Sequence, residues 1–179
     1  MGRKQLIAAG KMVLLLVLAI LLQVLLVSRV SVLGVTADLF LILTVVVAIS
    51  RGSMEGAIFG FVAGVIADVA FLQPLGIRAL VYVLAGYLVG MVAVRFGTVN
   101  PWGVFLVAGG ASFLAQFVFG LFQYVIGPRA GFFTMLGVQI VPEAILDALV
   151  TVPIYVLLVR LRIVPLPRVE PATGRGGTE

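Results

Sequence analysis

Three acidic residues, Asp68, Glu143 and Asp147, stand inside apolar runs of this chain. Carboxylates can carry protons, hold cations or act as general acids and bases. Glu143 and Asp147 lie four residues apart, and Gln139 and Thr151 continue the same helical face at the same interval. Pro142 and Pro153 punctuate that segment. A polar stripe of this kind can line a ligand site, pass protons or cations, or form a groove for a second chain. The plain alternative leaves Glu143 hydrated near an interface and Asp147 as the single buried acid. Neither Cys nor His occurs, which removes thiol nucleophiles, disulfides, the usual zinc ligand sets, haem ligation by His and any His-based triad. No nucleophile with a base and no phosphate loop accompanies the acids. The residues therefore predict no catalytic centre, no metal site and no cofactor.

Lipid must be the solvent for the elements that position these groups. The chain has 179 residues, 63% of them hydrophobic and only 11% charged, with a mean hydropathy of +1.28. A soluble domain of this length could not bury so much apolar surface. A membrane helix takes about 20 apolar residues, so the apolar runs read as six spans: 12–27, 37–50, 53–71, 77–94, 101–126 and 134–161. These make one transmembrane domain over 1–162, an all-α six-helix bundle. The tail 163–179 is rich in Pro and Gly and is expected to be a disordered cytoplasmic extension. The first run is long for a cleavable leader and is read as a retained helix.

The net charge of +5 suggests nucleic acid only superficially, because basic residues at membrane edges set topology and meet anionic lipid. With six spans, one side collects Arg3, Lys4, Lys11, Arg51, Arg95, Arg160, Arg162, Arg168 and Arg175. The other collects Arg29, Arg78 and Arg129. The bias places both termini in the cytoplasm and the "LQPLG" turn outside.

Gly56, Gly60, Gly64 and Asp68 form one stripe at intervals of four, and Arg78, Tyr82, Gly86 and Gly90 form another. Glycines so spaced let two helices approach to backbone contact. The short turn through Pro74 and Gly76 makes the two helices antiparallel neighbours, with Asp68 and Arg78 at similar depth. An Asp68–Arg78 ion pair would clasp the hairpin. A binding or transport role for Asp68 is the competing reading.

The segment "RGSMEGAIFGFVAGVIADVAFLQPLGIRAL", followed by "YVLAGYLVG", resembles the core signature of the rod shape-determining protein MreD family. The matching positions are Arg51, Gly52, Gly56, Gly60, Phe61, Gly64, Asp68, Pro74, Leu75, Gly76, Ala79, Leu80, Gly86, Tyr87 and Gly90. Ala37 stands where the family often has Pro before the acid that opens helix two, and the turn "AFLQPLG" is less rich in small polar residues than is usual. The resemblance implies a non-enzymatic inner-membrane component of the bacterial cell-wall elongation machinery. It implies MreC as the main partner, a protein with one membrane helix and a periplasmic domain. The wider assembly would hold MreB, the glycosyltransferase RodA and its transpeptidase, with membrane lipid around it and no nucleic acid. It further implies a bundle resembling the substrate-binding (S) components of energy-coupling-factor transporters. A scaffold that docks MreC is thus the first reading. A solute-binding transporter subunit using Asp68, Glu143 and Asp147 is the second, and ion conduction through Glu143 and Asp147 ranks third.

Overall fold

The computed structural model describes residues 3–25, 34–72, 74–96, 100–126 and 136–165. Residues 166–179 of the tail expected over 163–179, together with Arg29 and Arg129, lie outside the described residues. The described chain forms α1 (Arg3–Leu25), α2 (Leu39–Arg51), α3 (Ser53–Ala70), α4 (Ile77–Phe96), α5 (Pro101–Ile126) and α6 (Val141–Arg160), with a π-helical turn, Leu136–Ile140, leading into α6. Three stretches, Ser53–Ala70, Pro101–Phe122 and Leu136–Arg160, are long and apolar enough to cross a membrane unaided. Gly10–Gln23, Leu39–Arg51 and Ile77–Ala93 are shorter apolar helices. Large apolar side chains such as Leu14, Phe61, Leu88, Leu106 and Leu149 face outward. In water such a surface would drive aggregation; in a bilayer it is the required exterior. The molecule is an all-α membrane protein.

α2 is its axis. Every residue from Leu39 to Ser50 is buried, as expected of a helix that is apolar on all sides. At about 20 Å long it is shorter than the hydrocarbon core of about 30 Å, a length a crossing helix can have when its ends are held by protein, and its neighbours shield it from lipid. Asp38 caps its start, the carboxylate accepting the Leu41 N–H at 3.2 Å. Gly52 closes its end at φ +96° and donates its N–H to Ala48 O at 2.9 Å. That positive φ, costly for a residue with a Cβ, lets α3 begin at once.

α3 and α4 mesh as the glycine stripes require. A Cβ on Gly56 would stand 2.6 Å from Ala48 Cβ and 2.8 Å from Gly86 O. One on Gly60 would strike the Tyr82 carbonyl, one on Gly64 the Ala79 backbone, and one on Gly90 the Ser53 backbone. The contacts run in antiparallel order from the Arg51 end of the bundle to the Asp68 end. Backbones this close leave no room for side chains between them, so dispersion and backbone dipoles hold the pair together.

Two differences from the sequence expectation lie in the C-terminal segment. Its helix is not uniform: the π turn widens the coil just before Pro142. Proline has no N–H to give the preceding turn, and its ring crowds the carbonyl four residues back; a π turn relieves that crowding. The chain after α6 also does not leave the bundle at 163. Ile163 N–H bonds to Leu158 O at 3.0 Å, and Val164 is buried in the core. Lys11 Nζ donates to Arg162 O at 2.6 Å, tying α1 to this end.

Candidate functional site

The buried polar groups gather at the Asp68 end, where α1 and α3 finish and α2, α4 and α6 begin. Asp38 is the hub. Its carboxylate accepts from Arg78 Nη1 at 3.0 Å and from the Tyr82 hydroxyl, besides capping α2. Its backbone N–H donates to Asp147 Oδ1 at 2.9 Å. Arg78 Nη1 also donates to the Tyr82 oxygen at 3.1 Å. The guanidinium lies between two aromatic faces, 4.7 Å from the Phe71 centroid and 4.6 Å from that of Phe119. Ring quadrupoles attract a cation so placed and shield it from water. From α1, Gln23 closes the ring, its Oε1 accepting the Leu39 N–H at 2.9 Å and its amide donating to Ala37 O at 3.3 Å. From α5, Gln116 Nε2 donates to Glu143 Oε1 at 2.6 Å.

Arg78 therefore pairs with Asp38 on α2, and the expected Asp68–Arg78 ion pair is corrected. Asp68 still clasps the hairpin, but through backbone. Its carboxylate accepts the N–H groups of Gly76 at 2.7 Å and Arg78 at 3.1 Å, with Ala79 N at 3.5 Å. These are the orphan donors at the start of α4, where a negative charge also meets the positive end of the helix dipole. Gly76, at φ +102°, turns the chain so that its amide points back at the acid. Pro74 lies exposed in the same turn. Asp68→Ala is expected to cost about 1–2 kcal/mol by orphaning these amides, and Asp68→Asn less because one acceptor remains. Thermal unfolding in lipid nanodiscs would check the order of the two losses.

The stripe read on α6 divides. Asp147 is fully buried, and Thr151, also buried, turns its hydroxyl back to Asp147 O at 2.6 Å. Glu143 is half-buried and held by Gln116. Gln139 is exposed within the π turn, because the wider coil there rotates it out of register with Glu143. The four residues do not share an open face. Gln23, Gln116 and the hub role of Asp38 escaped the reading of the sequence. The available signal was Asp38 just before an apolar run, the position of an N-cap; the two glutamines gave none.

Inside this cluster, Asp38, Arg78, Tyr82 and Gln116 border a space of ≈ 10 Å³, about enough for one water-sized atom. Among the described residues no group of three or more acidic side chains could hold a metal ion.

No curated protein and no solved structure matches the chain. The family model described as rod shape-determining protein MreD matches residues 4–162. That span takes in the glycine clasp, the Asp38 hub and the whole of α6. The chain belongs to the MreD family, whose role is the determination of rod shape.

Proposed function

We propose that this protein is a non-enzymatic scaffold of the cell-wall elongation complex, which docks the membrane helix of MreC and positions it beside MreB, RodA and the transpeptidase. It lies in the inner membrane, with six passes and both termini in the cytoplasm. The supporting observation is how the polar side chains are used. Asp38, Arg78, Tyr82, Asp147 and Gln23 bond to one another or to backbone across α1, α2, α4 and α6. They leave space for a single small atom rather than a solute chamber. A solute site places several convergent polar groups around a cavity of about 300 Å³ or more. Buried polar groups spent on each other instead fix helix register, which is what a docking platform in lipid requires.

The test is affinity purification of the full chain from native membranes, with identification of what accompanies it. The expected companion is a bitopic protein with one membrane helix and an extracytoplasmic domain. Recovery of paired ATPases with a transmembrane coupler would instead assign the chain to transport.

A further inference from the structure

A turn that stands in water is ordinarily built from polar residues. In the turn between α3 and α4, Leu72 is 93% exposed and Leu75 74% exposed, with Val69 and Leu80 open beside them. The charged groups on these elements at this end, Asp38, Asp68 and Arg78, are turned inward. At the opposite end Arg160 and Arg162 are exposed and Glu55 is half-exposed. We propose that the α3–α4 turn is immersed in the bilayer, with Leu72 and Leu75 among the phospholipid acyl chains of the leaflet at the Asp68 end.

Depth is the first support. Glu55, half-exposed and paired with Arg51, marks where the hydrocarbon ends on the far side. From Glu55 to Leu72 the chain climbs about 26 Å at 1.5 Å per residue, and any tilt shortens the climb. The hydrocarbon core is about 30 Å thick, so Leu72 does not clear it. Leu75 stays within the same limit. The Gly76 N–H beside it is 2.7 Å from Asp68 Oδ2, which holds Leu75 within about 9 Å of the Asp68 backbone. Asp68 is itself only about 20 Å above Glu55. On α6 the exposed Arg160 gives an independent measure, since Val141 stands about 28 Å from it.

Backbone bonding is the second support. A turn in hydrocarbon must satisfy its own polar backbone, because no water reaches it. The amides of Phe71 and Leu72 return to Ala67 O and Val69 O, and that of Leu80 to Gly76 O. Those of Gly76, Arg78 and Ala79 go to Asp68. Pro74 has no N–H to satisfy. Asp68 thus supplies, inside the fold, the acceptors that water gives an exposed turn. The polar cluster then lies about 10 Å beneath the hydrocarbon edge, and an aqueous domain of a partner has no access to this turn.

This inference goes beyond the scaffold reading and does not rest on it, since a partner helix can dock on the bundle whether or not the turn is immersed. The chain has no Cys, so each single-cysteine variant of the full chain carries one spin label. Leu72→Cys and Leu75→Cys are placed in nanodiscs of dioleoyl phosphatidylcholine and phosphatidylglycerol, and collisions with oxygen and with a water-soluble nickel chelate are compared. Leu149→Cys, on the outward face of α6, is the lipid reference, and Arg162→Cys is the water reference. Unfolding midpoints equal to wild type confirm that the labelled chains are folded. At both turn positions oxygen is expected to be favoured several-fold over nickel, as at Leu149→Cys. Nickel favoured as at Arg162→Cys would overturn the proposal and put the turn in water. Weak collisions with both reagents would also overturn it, because the leucines would then be covered by protein rather than lipid.

Discussion

Asp38→Ala is expected to lower stability by about 3–5 kcal/mol, the range for breaking a buried ion pair by removing one partner. The loss follows from what the carboxylate holds. Arg78 is only 17% exposed and sits between Phe71 and Phe119, so without Asp38 its charge loses its direct ion-pair partner, keeps only the more distant Glu143, and is not fully hydrated. The Tyr82 hydroxyl loses its acceptor and α2 loses its cap in the same step. Asp38→Asn keeps an N-cap acceptor and a partner for Tyr82 but not the charge, so it should fall between wild type and Asp38→Ala. Arg78→Met in the Asp38→Ala background should recover much of the loss, because apolar replacement of both partners is often close to neutral. A double-mutant cycle on reversible unfolding in mixed micelles reads this coupling directly. Additive losses would mean that Asp38 acts as a helix cap and little more.

The second large effect lies at Gly60. An added Cβ would meet the Tyr82 carbonyl on α4 and stand 3.0 Å from Thr44 Cγ2 on α2. Pressed from two sides, Gly60→Val has no direction in which to relax without moving a helix. Overpacking of this kind costs about 1–3 kcal/mol and occasionally more, and the upper end is expected here. The damage should spread, since moving α4 off α3 draws Tyr82 away from Asp38 and loosens the polar lock. Gly10→Ala is the contrasting substitution. Nothing lies within 4 Å of its added Cβ on α1, so relief of glycine's backbone entropy should leave stability unchanged or raise it by about 0.5–1 kcal/mol. Unfolding midpoints of both variants in the same lipid decide the matter; equal stability would show that α3 and α4 can part without cost.

Much of this architecture was legible before any coordinates. Glycines at intervals of four on either side of a short Pro-Gly turn can pack only as a close antiparallel pair, and α3 and α4 do so at Gly56, Gly60, Gly64 and Gly90. The partners of the polar residues were not legible in the same way. Asp68 and Arg78 suggested an ion pair because they are near in sequence and opposite in charge. In the fold the tight turn brings the first amides of α4 onto Asp68, so backbone donors already fill that carboxylate. The guanidinium turns instead to an acid 40 residues away. The α6 stripe failed at Gln139 for a local reason, since regular spacing assumed an α-helix and Pro142 made the coil π there.

By itself the sequence determined that the chain is helical and lipid-embedded, that one hairpin closes to backbone contact, and that no Cys- or His-based chemistry occurs. Those properties depend on composition and on spacings within one or two turns. Only the tertiary structure decided that Asp38 is the hub, that Gln23 and Gln116 serve the same cluster, and that Asp38, Arg78, Tyr82 and Gln116 border one atom's space rather than a chamber. Each of those depends on where separate helices end relative to one another. Burial favours a partner for each polar group, but which partner depends on reach in space, and spacing along a single helix carries no record of that.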